Sequence, residues 1–445
     1  MTTIHNDRAV PPTHTDILIV GCGVSGLYCA LNLPADKRVT IITKSTAEES
    51  DSFLAQGGIC VLRDSDDYAS FYEDTMRAGH YENNPVSVDI MIRESRRVID
   101  DLVSLGTDFA RDEEADPTAP GGDFRYTREG AHSRPRILYH KDETGREITS
   151  RLLAAARARK NITLLEQYTM VDLLTERNTC YGIVGQDRDG AYSTITADYT
   201  VLATGGIGGL YRHSTNFPHL TGDALAVSLS HGVKLKNINY IQIHPTTLFS
   251  HGNERKFLIS ESVRGEGAVL LNSRGERFTD ELRPRDVVAE AIRAEMEKEG
   301  SEHVWLSLAA IPREEILTHF PNIYRHCLDA GYDITREPIP VVPAQHYFMG
   351  GVAVDSDSQT SMERLFAVGE TACNGVHGRN RLASNSLLES LVFAGRAAAR
   401  IAEDYRPADP TMTPAPIDPA RYEAVAETYK AAVLAAIEKE TQAHG

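Results

Sequence analysis

Residues 16–33 read DILIVGCGVSGLYCALNL, and this stretch decides the fold. Residues 17–20 form a short, wholly apolar run, the composition of a parallel strand buried on both faces. Gly21, Gly23 and Gly26 follow at G-x-G-x-x-G spacing, and a helical pattern comes after them. That spacing allows a tight turn, brings backbone N–H groups close to a pyrophosphate, and sets the positive end of a helix dipole beside it. The motif alone is a weak signal, but the flanking strand and helix supply the context it needs. Gly21, Cys22, Gly23, Val24, Ser25 and Gly26 are therefore the expected phosphate cradle of a dinucleotide, on an α/β fold of Rossmann type. The second strand, residues 39–43, ends in Lys44 where an acid would hold the ribose of a nicotinamide dinucleotide. This argues against free NAD as a substrate and leaves open a tightly held flavin with other ribose contacts.

The other end of the chain supplies a matching half. Residues 365–373 read LFAVGETAC, and residues 374–398 read NGVHGRNRLASNSLLESLVFAGRAA. An apolar strand ends at Glu370, a polar Gly-rich loop carries Arg379 and Arg381, and a helix opens at Ser386. Such an ending suits a flavin. Glu370 is the acid for the ribityl chain. The N–H groups of Ser386 and Leu387, with the helix dipole, stabilise negative charge on the reduced ring. An arginine in that loop serves an anionic substrate. Two more Gly-rich turns, LAQGGIC at 54–60 and LATGG at 202–206, are places where backbone approaches a dinucleotide.

Composition narrows the rest. A chain of 445 residues buries a large core and is expected to form two or three domains. A net charge of −17 without a basic cluster disfavours nucleic acid and anionic membranes, and it makes an anionic substrate depend on a locally basic pocket. The six cysteines are scattered without C-x-x-C, which speaks against a bound metal or iron–sulfur cluster and for a reducing, cytoplasmic setting. The polar N-terminal residues 1–15 lack a signal-peptide core. No apolar run approaches the roughly 18 residues of a membrane span.

The pattern along the chain predicts a discontinuous FAD-binding domain over 1–236 and 347–405. A capping, substrate-binding α+β insert covers 237–346, and a linker with one C-terminal helix covers 406–445. A single helical stretch is expected over about 65–105, and a polar functional loop over 110–142. Helices are expected over 148–160, 287–299 and 420–439, the last docked on the body or on another subunit. Strands are expected through 162–200, with a hairpin turn at 187–190.

With these residues in hand, the chain resembles the flavoprotein family of L-aspartate oxidase, succinate dehydrogenase and fumarate reductase. The resemblance spans about residues 15–405 and rests on GCGVSG, LAQGG, TREGAHS, LATGG, IHPT, RGEGAVL, RPRDVV, QHYFMGG and RLASNSLLES, in that order. It implies FAD and a reaction on C4 dicarboxylates in which a proton leaves one carbon and a hydride leaves its neighbour for flavin N5. The strings look most like the aspartate oxidase branch, which oxidises L-aspartate to iminoaspartate at the head of de novo NAD synthesis. That branch passes electrons to oxygen, fumarate or a quinone, and its product goes on to quinolinate synthase. The alternative is a soluble fumarate reductase or succinate-oxidising flavoprotein. Most members of the branch continue into a further helical domain, so this chain resembles a short form.

Two positions separate the branches. Succinate dehydrogenases attach FAD covalently through a histidine five residues before the glutamine of AQGG. Asp51 stands there in this chain, which implies non-covalent FAD. Glu129, in TREGAHS, matches the glutamate that recognises the substrate's ammonium group, whereas beside a plain dicarboxylate it would be repulsive. The residues alone also allow Glu129 to pair with Arg125, Arg128 or Arg134.

By the same resemblance, the two carboxylates are clamped by His244, His346, Arg381, Ser260 and Glu261, the last of which could serve only to orient its neighbours. Arg285 is the proton shuttle, helped by an acidic neighbour such as Asp286, although arginine is a poor base with a pKa above about 12. The pattern alone does not exclude Arg283 for that role. Lys44, Ser52, Gln56, Gly57 and Gly58 line the cofactor's loops, and Asp223 and Glu370 bond its polar groups. The insert is expected to close as a lid over the flavin.

Overall fold

The structure, a computed structural model, describes residues 13–112, 123–252, 254–408 and 414–444. Expectations for residues 1–12, for the middle of the 110–142 loop and for part of the 406–419 linker lie outside the described residues.

The quoted N-terminal stretch sits at the centre of a seven-stranded sheet. The strand His14–Val20 runs parallel between Val39–Thr43 and Tyr192–Leu202. Ile162–Glu166 extends the sheet on the outer side of Val39–Thr43. The long strand Tyr192–Leu202 divides its other edge. Its start pairs antiparallel with Thr179–Gln186, which pairs with Thr169–Glu176, and its end pairs parallel with Leu365–Ala367. Ile17, Leu18 and Ile19 are fully buried, as a continuous apolar run in a covered parallel sheet requires. Each contributes about 1.5–3 kcal/mol relative to exposure. The late strand thus lies beside the early ones, which brings Glu370 and the helix Asn385–Glu403 to the glycine turn. That helix is buried along most of its length and packs on Val24–Asn32. Gly395 allows the approach, since a Cβ there would lie 3.2 Å from the Tyr28 ring.

Leu235–Lys236 and Gly351–Ala353 pair with each other, so the chain leaves the first sheet region and returns to it at adjacent points. Between them stands a four-stranded antiparallel sheet in the order Ile241–Leu248, Ile339–Phe348, Val304–Ser307, Val269–Leu271. It shares a core with the helices Arg285–Glu299, Arg313–His319 and Pro321–Asp329, centred on Ile259, Val288, Ile292, Leu306 and Ile323.

Several elements differ from the sequence expectation. The stretch 65–105 is broken into Tyr68–Ala78 and Pro85–Ser104. Between them His80 and Tyr81 take left-handed backbone, and Asn84 caps the second helix by accepting the Val86 N–H. Asn-Pro is a stop-and-start signal, with Pro85 at the first helical turn where its missing N–H costs nothing. The helix expected from 148 begins one turn earlier, Thr144–Ala158, and the cap helix begins at Arg285. The turn at 187–190 is present, and a second, tighter hairpin turns at Arg177–Asn178, both at positive φ. The C-terminal helix is Val425–His444. It docks on the body, burying Val433 beside the helix Asp223–Ser230, and Tyr429 donates to the carbonyl of Val171 at 2.6 Å. Among the described residues no helix is long and apolar enough to cross a membrane.

Candidate active site

The glycine turn, the loops after the late strand, and the second sheet with its helix all border one cavity of about 400 Å³. At its base Gly21 holds φ +119°, and a Cβ there would stand 1.9 Å from the carbonyl oxygen of Ala203. Gly26 does not border the cavity. A Cβ on it would meet the Gly21 carbonyl at 2.2 Å, so its role is the close packing of helix on turn. Cys22, Gly23, Val24 and Ser25 line the cavity at the helix N-terminus. Ser52 accepts the Val24 N–H at 3.1 Å and so occupies one of that terminus's free donors. Gln56, Gly57 and Gly58 form the adjoining wall. Lys44 and Asp223 also line the cavity, but they bind each other at 2.7 Å; Lys44 donates further to the His219 carbonyl, and Thr221 donates to Asp223.

At the far end of this wall Glu370 accepts the Phe348 N–H at 2.8 Å. Burial, with negative Asp51 nearby, pushes Glu370 up to about 8, and burial pushes Asp51 up to about 7. Asp51 accepts the Phe217 N–H at 2.9 Å and lines the cavity as an acid. The helix Asn385–Glu403 opens one residue before the expected Ser386. Ser384 precedes it in left-handed backbone, and Ser386 and Leu387 face the cavity.

Groups suited to an anion gather where the second sheet faces this helix. His244 and His346 lie on paired neighbouring strands with rings 5.1 Å apart, edge to face. Burial first, and then the positive charge of Arg285, holds both imidazoles well below the usual histidine range. Thr215 shares a 2.7 Å hydrogen bond with His346 Nδ1. Arg381 is 4% exposed, donates to Ser386 Oγ at 2.8 Å, and sits 4.3 Å above the Tyr347 ring. Burial, then Arg285, pulls its guanidinium down to about 10.

Arg285 is 6% exposed and is the first residue of its helix, whereas Arg283 is exposed and does not line the cavity. The acidic neighbour of Arg285 is Glu261, at 2.5 Å from its Nε, and not Asp286. Asp286 turns outward and meets His80 Nε2 at 2.8 Å, because consecutive residues of a helix start point to different sides. Burial raises the Glu261 carboxyl, but Arg285 and Arg264 outweigh it and bring the group below its ordinary value.

Glu129 is 3% exposed and lines the cavity, while Arg125, Arg128 and Arg134 are all exposed and none pairs with it. Its carboxylate instead accepts from Ser262 Oγ at 2.7 Å and Ser384 Oγ at 2.6 Å. Burial, and then Glu261, pushes Glu129 above the ordinary carboxyl range. Ser260 caps the short helix Glu261–Gly265 and points its hydroxyl toward Ser262 at 3.2 Å.

Sequence reasoning missed Gln242, Arg264, Ser262 and Ser384. Gln242 accepts from Arg285 Nη1 at 2.9 Å and donates to the carbonyl of Arg381 at 2.8 Å, which ties the two arginines together. It stands two residues before His244 on the same strand, so period-two alternation could have placed both on one face. Arg264 lies one helical turn after Glu261 and stands 3.4 Å from it, a spacing readable in ESVR, residues 261–264. Nothing local marks the two serines.

The residues fit FAD and an anionic substrate. Asp51 Oδ2, Gln56 Oε1, and Asn216 Oδ1 on the cofactor wall are buried without a hydrogen-bond partner, as are His244 Nε2 and Arg381 Nε at the other end. Buried polar atoms of this kind call for a polar ligand. Two guanidiniums and two neutral imidazoles around one enclosed space suit a dicarboxylate, and Glu129 beside them suits a positively charged group on the same molecule.

The chain is similar to known proteins over most of its length. The FAD binding domain family matches residues 16–387. An L-aspartate oxidase of Clostridium perfringens is 50% identical, over 87% of this chain and 86% of that one. An L-aspartate oxidase of Pseudomonas aeruginosa is 42% identical, over 86% of this chain and 74% of that one. Among solved structures, a FrdA mutant of E. coli quinol fumarate reductase is 28% identical with a TM-score of 0.80, covering 96% of this chain and 74% of that one. Mycobacterium smegmatis Sdh1 in complex with UQ1 is 32% identical with a TM-score of 0.76, covering 94% and 73%.

Proposed function

The chain belongs to the L-aspartate oxidase family of FAD-binding proteins, and from that premise we propose that it oxidises L-aspartate to iminoaspartate, the step that opens de novo NAD synthesis. FAD would be held by the turn at residues 21–25, by Lys44, Ser52, Gln56, Gly57, Gly58, Asp223 and Glu370, and by the helix start at Ser386 and Leu387, and it would supply the hydride acceptor, with oxygen, fumarate or a quinone as the final oxidant. The protein's own work is to hold the dicarboxylate, to recognise its ammonium group and to move one proton. His244, His346, Ser260 and Arg381 clamp the two carboxylates, the arginine by its planar fork and the neutral imidazoles by hydrogen bonds. Arg285 relays the proton that the substrate releases: as one guanidinium nitrogen takes it up, the Nε proton passes to the Glu261 carboxylate, and the side chain keeps its single positive charge. Glu261 lies 2.5 Å from its Nε, and the Arg264 guanidinium stands 3.4 Å beyond that carboxylate, so alternating charges lead away from the cavity. Gln242 fixes Arg285 relative to the Arg381 loop.

One observation carries the choice of substrate. Glu129 puts a buried carboxylate into a cavity otherwise built for anions, and no cation of the protein is paired with it among the described residues. A plain dicarboxylate gains nothing from that charge, whereas an amino dicarboxylate brings the matching cation. The six cysteines are all buried and free, which fits the reducing cytoplasm as its place of work. The imine product hydrolyses in water, so prompt transfer to a quinolinate synthase fits the chemistry.

The test is Glu129→Gln. Its kcat/KM for L-aspartate falls roughly a hundredfold, the cost of removing one partner of a desolvated charge pair. Succinate binding holds or improves in the same variant, because a like charge is gone. Retention of the preference for L-aspartate over succinate in this variant would show that Glu129 does not select the substrate, and a wild-type chain that turns over succinate but not L-aspartate would stand with the succinate-oxidising or fumarate-reducing branch.

A further inference from the structure

We propose that Ser262 is a positioning residue that sets substrate specificity. Its hydroxyl, together with that of Ser384, holds the Glu129 carboxylate as an anion aimed into the cavity, and so selects an amino dicarboxylate over a plain one. The proposal rests on the reading of Glu129 given above.

The geometry leaves Glu129 few other supports. The side chain is buried, and the Glu261 carboxylate beside it adds like charge. A buried carboxylate without donors takes up a proton rather than keep its charge. Among the described residues two hydroxyls donate to it, one to each oxygen: Ser262 at 2.7 Å and Ser384 at 2.6 Å. Gly57 leaves the space before Oε1 open, since a Cβ there would come within 2.8 Å of that atom. Hydroxyl donors stabilise the anion without cancelling its charge. Each oxygen keeps a further lone pair for an ammonium N–H.

Ser262 is the more specific of the two supports. Ser384 is also part of the cofactor wall, where its Oγ accepts the Gly58 N–H at 3.2 Å and its carbonyl accepts the Cys60 N–H at 3.0 Å. Ser262 stands on the short helix of the clamp. Ser260 Oγ donates to Ser262 Oγ at 3.2 Å, and with that lone pair engaged the Ser262 proton is left for Glu129. A single run of hydroxyls therefore leads from Ser260, at the start of this helix, to the ammonium-recognising Glu129.

The experiment uses the FAD-loaded full chain with Ser262→Ala and Ser262→Thr. KM for L-aspartate is measured from acid to neutral pH, and succinate affinity is measured by the change it causes in the flavin spectrum. In Ser262→Ala, KM for L-aspartate rises about tenfold near neutrality, as expected for one lost hydrogen bond to a charged group. The succinate dissociation constant stays or falls. The acid limb of L-aspartate binding moves to higher pH, because Glu129 with one donor fewer is protonated more easily. Ser262→Thr keeps the hydroxyl and restores both the affinity and the limb. An equal loss for L-aspartate and succinate, or an unmoved acid limb, overturns the proposal. If Glu129→Gln loses its preference for L-aspartate while Ser262→Ala keeps it, this proposal fails alone. If the wild-type chain does not turn over L-aspartate, the functional reading fails and takes the proposal with it.

Discussion

At the residue scale, His244 and His346 stand edge to face with Arg285 and Arg381 around them. Burial and those fixed positive charges keep both rings neutral, so the clamp carries its charge on arginine and its directionality on imidazole. The sign of the pH dependence follows. A ring held well below its ordinary value gains no proton as pH falls through the usual histidine range. The rings therefore add no titration of their own to succinate affinity between about pH 6 and 8, where the raised carboxyls of Asp51 and Glu370 change charge, and spectral titrations of wild type and His346→Gln should have the same pH profile across that range. A rise in affinity on acidification that is present in wild type and lost in His346→Gln would mean that the rings charge and that the environment described is wrong. His244, His346, Arg381 and Arg285 were readable in the sequence because each sits in a distinctive short string. The partner of Arg285 was not. Glu261 lies 24 residues away, and only the fold decides that it, rather than the adjacent Asp286, meets the guanidinium. Ser384 is likewise 255 residues from Glu129.

At the element scale, the strand, turn and helix of residues 16–33 form as their pattern predicts. The reason for Gly21 is wider than its motif. The turn passes under the end of Tyr192–Leu202, where Val20 stands opposite Leu202, and this leaves no room for a Cβ beside the Ala203 carbonyl. Gly21→Ala combines that clash with a positive φ and should cost about 2–4 kcal/mol of stability. It should also abolish retained flavin, measured as bound FAD per chain after purification together with the melting temperature. A variant that melts like wild type and keeps its FAD would show that the turn relaxes freely. The neighbouring strand was expected, but its place beside the first was not legible, since parallel pairing across about 180 residues leaves no local period. The break after Ala78, missed by the single stretch expected over 65–105, carries a local signal in Asn84-Pro85.

At the scale of the whole molecule, the cavity belongs to no single segment. The N-terminal turn, the loop carrying Glu129, the second sheet with His244 and His346, the helix starting at Arg285 and the late loop carrying Arg381 each supply one wall. The seven-stranded sheet aligns the first and last of these, and the antiparallel sheet presents the histidines and Arg285 to them. The apolar run at 17–20 and the change of pattern after residue 236 set the two layers apart in the sequence, but their juxtaposition is a property of the assembled fold. The account's central claim is that this assembly oxidises L-aspartate because Glu129 admits its ammonium group. The most direct measurement is anaerobic mixing of the FAD-loaded protein with L-aspartate, and separately with succinate, while following the absorbance of oxidised flavin. This reads the half-reaction without any choice of oxidant. The account predicts rapid bleaching by L-aspartate and little or none by succinate. Bleaching by succinate alone, or by neither with FAD bound, would contradict it.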